Sequence, residues 1–266
     1  MKIFDTQLMV NVIKIGGNVI DDRENLETFL KKFASLPGPK ILVHGGGKEA
    51  SRLSREMGIQ PVMIEGRRVT DAATIDIVTM VYAGLINKRI VALLQSYGCD
   101  AVGLTGADGN AIPAKKRSPN PIDYGFVGDI DPQKVNHSFV EKLLEAGTVP
   151  VFCAICHNEE GILLNCNADS VASAVAVGMA NEGECCLTYC FEKPGVLRDV
   201  NDESSVIPLI DEESFPQLKD AGVIADGMIP KIHNALVSAS CGVSEVRICT
   251  AANIGEDGGT VIRQKA

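Results

Sequence analysis

Short apolar runs alternate along this chain with longer stretches whose apolar residues recur every three or four positions. The short runs, at 9–15, 40–43, 100–104, 149–155, 184–189 and 245–250, read as strands. The longer ones, at 23–35, 48–57, 71–97, 138–146, 169–180, 214–221 and 228–241, read as helices. This alternation predicts βαβ units: an α/β fold with a mainly parallel sheet and helices on both faces. The 71–97 stretch is long enough for two helices, or for one that bends near Gly84. Residues 110–130 carry prolines, charges and short alternating pieces, and predict a β-hairpin leaving the sheet. Glu159-Glu160-Gly161 predicts a further turn. No linker stands out; 156–165 is a reasonable seam, dividing the chain into lobes of residues 1–160 and 161–266.

Composition narrows the classes. With 266 residues, 45% of them hydrophobic, the chain can build one large α/β core or two modest lobes. A formal net charge of −9 argues against nucleic acid or an anionic membrane as partner. A polyanionic ligand must therefore be held by a local cluster of cations and N–H groups. The first apolar run is broken by Asn11 and Lys14 and follows Asp5, unlike a signal peptide. No run of about 18 uninterrupted apolar residues marks a membrane span. The expectation is a soluble cytoplasmic protein.

The nine cysteines read as reduced, buried small hydrophobes. Cys153-Ala154-Ile155-Cys156-His157 has the spacing of haem attachment. It continues the strand-like Val149-Pro150-Val151-Phe152, where residues three apart point to opposite faces, so no metal site is expected. Cys185-Cys186 reads likewise as two strand residues.

Three segments carry candidate chemistry. Lys14-Ile15-Gly16-Gly17 and His44-Gly45-Gly46-Gly47 each end a strand and lead into a helix. Such loops bare backbone N–H groups to which a phosphate oxygen can come close, because no Cβ intervenes. Neither matches the Walker A or the dinucleotide fingerprint. Lys231, after Gly227-Met228-Ile229-Pro230, opens a second helical stretch. Two cations and two such loops suit a transferring phosphoryl group. In Asn165-Cys166-Asn167-Ala168-Asp169, Asn167 or Asp169 can serve as a plain helix cap, while a carboxylate at 169 can also hold both lysines. In Gly66-Arg67-Arg68-Val69-Thr70-Asp71, Thr70 or Asp71 can cap the long helix. Arg68 is either a solvated charge or a bidentate clamp for a carboxylate.

Taken together, VIKIGGNVI, ILVHGGGKEA, GRRVTD, NKRIVALL, AVGLTGADGN, YGFVGDI, LLNCNADSVASAVA and DGMIPKIHNAL resemble the amino acid kinase family. The pieces follow the family's order from about residue 10 to 262. The lysine–glycine and histidine–glycine loops are shared widely; G-x-RVT, N-x-NAD and GM-x-x-K together resemble its acetylglutamate-phosphorylating branch. The resemblance implies an open αβα sandwich. Its N-terminal lobe would bind the acyl amino acid and contact a second copy, and its C-terminal lobe would bind ATP. It implies transfer of the ATP γ-phosphoryl to the side-chain carboxylate of N-acetyl-L-glutamate, the second step of arginine biosynthesis, with no covalent enzyme intermediate. Lys14 and Lys231 would flank the phosphoryl, with Asp169 orienting them. Gly17, Gly45 and Gly46 would offer N–H groups, beside Gly16 and Gly47 in the same loops. Arg68 would clamp the α-carboxylate and Asn165 would also bind substrate. Mg2+ would be held largely by nucleotide and water, with no protein metal site.

The chain departs from the family's pattern at two places. A Leu-Ser-Asp-Val-x-Gly-like stretch is usual in the nucleotide lobe; here Leu187-Thr188-Tyr189-Cys190-Phe191-Glu192-Lys193-Pro194-Gly195-Val196 stands in its place, so nucleotide contacts there are expected to differ. About nine residues precede the first strand, too few for the helix that joins arginine-inhibited members into hexamers. The expectation is an arginine-insensitive homodimer, with 71–97 as the contact. Other readings are an N-succinyl-L-glutamate kinase, a sister kinase for aspartate, glutamate, carbamate or UMP, and a non-catalytic sensor.

Overall fold

The computed structural model describes residues 9–225 and 228–264. The first described strand lies at the centre of the sheet. Strand β1 (Val10–Ile15) is followed by the short helix α1 (Gly17–Ile20), α2 (Arg23–Ser35), β2 (Lys40–His44) and α3 (Gly47–Glu56). A small hairpin, β3 (Met63–Ile64) with β4 (Arg67–Arg68), precedes α4 (Ala72–Thr79) and α5 (Asn87–Ser96). Next come β5 (Ala101–Leu104), the hairpin β6 (Ala114–Lys116) and β7 (Gly128–Ile130), and α6 (His137–Glu145). Strand β8 (Val149–Cys153) leads to a second hairpin, β9 (Ile155–His157) with β10 (Leu163–Asn165), and then to α7 (Ala168–Ala180). The rest comprises β11 (Cys185–Phe191), β12 (Leu209–Ile210), α8 (Ser214–Asp220), α9 (Met228–Ser240), β13 (Glu245–Thr250) and β14 (Thr260–Ile262).

Eight strands form the central sheet in the order β12-β14-β13-β11-β1-β2-β8-β5. Every neighbouring pair is parallel except β13 with β14. After β1 the chain fills one half of the sheet with β2, β5 and β8, and then the other half with β11, β12, β13 and β14. The strand order therefore reverses between β1 and β11. Parallel sheets bind ligands at such a point, beyond the carboxyl ends of the strands.

Alternation along the strands feeds two separate cores. Val10 and Val12 of β1 pack on one side, with Ile41, Val43, Leu187 and Tyr189, under α6, α7 and α9. Ile13 and Ile15 face the other side, with Leu42, against Phe29 and Phe33 of α2 and Ile90 and Leu94 of α5. Lys14 shares the face of Val10 and Val12, because side chains two apart on a strand point the same way. It emerges where that core ends.

The predicted helices are all present, shifted by a residue or so at their ends, the ordinary uncertainty of a fraying terminus. The 71–97 stretch is one helical run from Ala72 to Ser96 with a π-helical segment, Met80–Ile86, around Gly84. This helix is long and apolar enough, at mean hydropathy 1.6, to cross a membrane. Scanning for an uninterrupted apolar run passes over it because Asp76, Lys88 and Arg89 break the run. Here Ile75, Val78, Tyr82, Ile86, Ile90 and Leu94 are buried against the protein's own core.

One expectation is corrected. The strand expected over 149–155 breaks at Ala154, so Cys153 and Cys156 lie on different strands; they do enter opposite cores. The stretch 156–165 holds the β9–β10 hairpin, which pairs across the Glu159–Gly161 turn. Short strands β3, β4, β12 and β14 escaped the sequence pattern, being only two or three residues long. Residues 1–8, on which the expectation of arginine insensitivity rests, and Gly227 of the second lysine motif lie outside the described residues.

One turn ties the hairpin excursion to the segment carrying Arg68. Thr70 N–H donates to Tyr124 O (2.8 Å) and Phe126 N–H donates to Thr70 O (2.7 Å). Gly125 between them has φ +74°, and a methyl there would overlap the Thr70 carbonyl. Gly125→Ala should lower the unfolding free energy by about 3 kcal/mol, and Gly161→Ala, with positive φ but open space, by about 1 kcal/mol. Urea denaturation of the two variants checks the difference; equal losses would remove the close approach as the cause.

Candidate active site

The two glycine loops sit side by side because β1 and β2 are paired neighbours, with Ile15 opposite His44. Each loop ends at a helix start: Gly16 precedes α1, and Gly46 precedes α3. A third helix start meets them, since a Cβ on Gly45 would stand 3.5 Å from that of Ala168 in α7. Three helix starts thus converge at the switch point, where their dipoles favour an anion.

Asn167 settles the capping question in α7. Its Oδ1 accepts from the N–H groups of Asp169 (2.7 Å) and Ser170 (3.2 Å). The Asp169 carboxylate is thereby left for another task, and its Oδ1 lies 2.7 Å from Lys14 Nζ. The contact is a charge pair rather than a well-directed hydrogen bond, for Oδ1 has no partner of good hydrogen-bond geometry. Lys14 is only 8% exposed, so without Asp169 its ammonium would be a nearly buried, uncompensated charge.

Two cavities open near this pair. A larger one, about 870 Å³, is lined by Lys14, Gly16, Gly17, Phe191, Glu192 and Lys231 among others. A smaller one, about 200 Å³, is lined by Gly45, Gly46, Gly47, Arg68, Tyr82 and Asn165 among others. Apart from Asp169, which lines neither, the expected site residues therefore fall into two groups. One expected contact is not made in this state: among the described residues Asp169 pairs with Lys14 alone, and Lys231 rests on the Phe191 ring, 4.1 Å from its centroid.

Arg68 is buried and only half satisfied. Its Nη2 donates to Gly47 O (2.8 Å) and Ser51 Oγ (2.8 Å), which fixes the guanidinium against the first turn of α3. Its Nη1 is buried and has no partner among the described residues. A buried cationic donor left unpaired beside a cavity is costly, and a carboxylate entering there would satisfy it. Beside it, burial pushes the Tyr82 phenol up against the opposing pull of Arg68. Asn165 Nδ2 donates to Thr70 Oγ1 (3.0 Å), whose own proton goes to Arg68 O (2.9 Å). Asp71 Oδ1 caps α4, accepting from Thr74 N–H. Within Arg68-Val69-Thr70-Asp71 the clamp candidate, its brace and the cap are thus separate residues.

His44 supports the glycine loop from below. It is fully buried; Nδ1–H donates to Gly45 O (2.8 Å), and Nε2 accepts from Asn87 Nδ2 (3.0 Å). The same Asn87 amide donates to Val151 O (2.9 Å). Burial drives the His44 pKa down to about 4, against the raising effect of Gly45 O and with a smaller lowering by Lys88. The ring is neutral at physiological pH, and its tautomer is set by the two partners. The π-helical turn of the long helix brings Tyr82 and Ile86 against Gly46, where a side chain would overlap Ile86.

The roles of His44, Tyr82, Asn87 and Phe191 are not readable from spacing. His44 lies in a motif already singled out, and Phe191 in the stretch that departs from the usual pattern. Tyr82 and Asn87 are brought in by the long helix.

A sheet of this order, with lysines and glycine loops at its switch point, suits the handling of phosphoryl groups. The chain belongs to the amino acid kinase family, whose profile matches residues 9–250. Within the family it is similar to acetylglutamate kinases. It is 52% identical to that of Cytophaga hutchinsonii (92% of each chain) and 47% identical to that of Phocaeicola vulgatus (96% of this chain, 98% of the relative). Among solved structures it is similar to smu.665 of Streptococcus mutans, with TM-score 0.79 and 29% identity, covering 96% of this chain and 98% of that one.

The buried His44 has a measurable signature. A histidine whose folded pKa lies below its unfolded value leaves the unfolded chain with more bound protons between the two values. Stability attributable to His44 is therefore intact above pH 6.5 and is lost as pH falls toward about 4, by about 3 kcal/mol in all. Denaturation at pH 7 and pH 4 should show this loss in the parent beyond that in His44→Asn. Equal pH dependence in the two proteins would mean that His44 is not held neutral.

Proposed function

We propose that this protein is an acetylglutamate kinase, an ATP-dependent enzyme that phosphorylates the side-chain carboxylate of N-acetyl-L-glutamate in arginine biosynthesis. The observation that carries the reading is the division of the site: two lysines line the larger cavity, one of them paired with Asp169, and an arginine with a spare buried donor lines the smaller. Supporting it are the acetylglutamate kinases that match over nearly the full chain.

In this reading ATP occupies the larger cavity and the acyl amino acid the smaller. Arg68 Nη1 takes the α-carboxylate, and Asn165, braced by Thr70, takes a second polar group. A side-chain carboxylate oxygen then bonds to the γ-phosphorus as the bond to the β,γ-bridging oxygen breaks, giving an acyl phosphate and ADP. Charge builds on the oxygens of the moving group and on the leaving ADP. Lys14, Lys231 and the N–H groups at Gly16, Gly17, Gly45, Gly46 and Gly47 are placed to meet it, with Asp169 aiming Lys14. Fixed donors at a water-poor site need no reorganisation during the reaction. The larger cavity has two carboxylates, Glu192 and Asp199, together with the cations that would hold phosphate oxygens. Hard oxygen donors of this kind fit Mg2+, which supplies charge neutralisation on the phosphates.

The same reading makes residues 1–160 the acceptor lobe and 161–266 the nucleotide lobe, with Asn165 and the start of α7 reaching back to the acceptor cavity. It also makes the protein a cytoplasmic homodimer. Support for the long helix as the contact is Met80, 54% exposed on its outer side.

Lys231→Ala should lower kcat by two or more orders of magnitude with thermal stability kept, since the lost charge acts on the transition state. Arg68→Ala should raise KM for the acyl amino acid more than tenfold with a smaller effect on kcat. The decisive assay is ADP release from MgATP with N-acetyl-L-glutamate, N-succinyl-L-glutamate, free L-glutamate and L-aspartate in parallel. Turnover with N-acetyl-L-glutamate and none with the free amino acids is expected. Turnover with a free amino acid instead would make this a sister kinase, and turnover with the succinyl compound alone would change the acyl group.

A further inference from the structure

The stretch that departs from the family's usual pattern lies against both catalytic candidates. Tyr189 and Phe191 are two apart on β11, so they share a face, and their rings stack with centroids 6.1 Å apart and planes 9° from parallel. The Tyr189 hydroxyl donates to the backbone oxygen of Asp169 (3.3 Å). At the other end of this short column, the Phe191 ring carries the Lys231 ammonium on its face, 4.1 Å from the centroid. Tyr189 is buried, and Phe191 stands at the wall of the larger cavity.

Lys231 needs such a partner. It sits in the first turn of α9, where the helix dipole disfavours a cation. Among the described residues no carboxylate pairs with it, and Asp169 is engaged with Lys14. Without an anchor, its four-carbon stem would leave the ammonium free to wander into water, and ordering it would fall to the reaction step. A carboxylate anchor would hold it firmly, and would then compete with the incoming phosphate for the same charge. An aromatic face attracts a cation through its quadrupole yet carries no net charge to neutralise. It can hold the ammonium at the cavity wall and yield it when phosphate oxygens arrive.

We propose that Phe191 is a positioning residue for Lys231, stationing its ammonium on the ring face at the wall of the nucleotide cavity until the phosphates take it over. This rests on the kinase reading above for its consequence, though not for the contact itself. It gives the aromatic sequence Tyr189-Cys190-Phe191 a task. The column fixes Asp169 through its backbone at one end and Lys231 through its side chain at the other, so one strand sets the spacing of both.

The test varies the charge on the ring face at nearly constant shape. Phe191 is replaced in the full chain by mono-, di- and trifluorophenylalanine, and by Leu and Tyr. Fluorination should lower kcat stepwise, reaching about fivefold for the trifluoro ring, with KM for the acyl amino acid unchanged. Phe191→Leu should lose about tenfold and Phe191→Tyr should recover most of it. A constant kcat across the fluorinated series would overturn the proposal. A second readout needs no turnover. Lysines are 13C-dimethylated, which keeps their charge, and the Lys231 signal is found by its loss in Lys231→Arg. That signal should be shifted upfield by the ring in the parent, return to the ordinary position in Phe191→Leu, and move when Mg2+ and a non-hydrolysable ATP analogue are added. An unshifted signal in the parent would also overturn the proposal. A parent chain that keeps the shifted signal but phosphorylates no acyl-glutamate would overturn the kinase reading and leave Phe191 as the partner of Lys231.

Discussion

The ion pair between Lys14 and Asp169 is the interaction on which the rest of the site depends. Lys14 stands one residue before the end of the central strand with its ammonium nearly buried, at the point where the strand order reverses. A charge so placed is tolerable only with a counter-charge, and Asp169 supplies it at 2.7 Å from the start of α7. The pair links the beginning of the chain to a helix that starts more than 150 residues later. Lys14 lines the larger cavity and Ala168, beside Asp169, lines the smaller, so the pair ties the walls of the two cavities together. A protein with net charge −9 can thereby offer a locally cationic pocket to a polyanion.

Around that pair, the groups aimed at a ligand are held in place by their neighbours. Asn167 caps α7 and so releases Asp169 from capping. Gly47 O and Ser51 Oγ hold one side of the Arg68 guanidinium and leave the other side unmet. His44, itself held by Asn87, donates to the Gly45 carbonyl and so fixes the plane of the next peptide N–H. Catalysis by positioned charge depends on such support, because a donor that must first be ordered gives back part of what it contributes. The buried unpaired Nη1 of Arg68 is a cost in the free protein that binding a carboxylate would remove.

Much of the fold was legible in the sequence. The major strands and all the longer helices follow from runs and periodicities that survive folding, because each element buries one face and shows it in its spacing. The excursion at 110–130 was legible from its prolines and charges. The two-residue strands β3 and β12 were not, since two residues cannot display a period. The break at Ala154 was also invisible: an apolar run continues through it, and the turn into β9 is set by pairing with β10. For the site, Lys14, Asp169, Arg68 and the glycines were candidates because their residue types and neighbours suit phosphate or carboxylate. His44, Tyr82 and Asn87 were not given roles, since a buried polar residue is recognised by its partners, and those lie 43 residues apart in the case of His44 and Asn87.

What the sequence determined by itself was the class of architecture and the inventory of chemical groups: alternating elements, two glycine-ended strands, two lysines in phosphate-like settings, and an arginine beside a turn. Family resemblance added their expected grouping. The tertiary structure alone decided which of these groups meet. It paired Asp169 with one lysine and gave the other to an aromatic face, split the ligand space into two cavities, and left one donor of Arg68 unmet. The reason is physical. Periodicity and propensity are properties of neighbours along the chain, whereas ion pairs, ring contacts and unpaired donors arise between residues that only the closing of the sheet brings together.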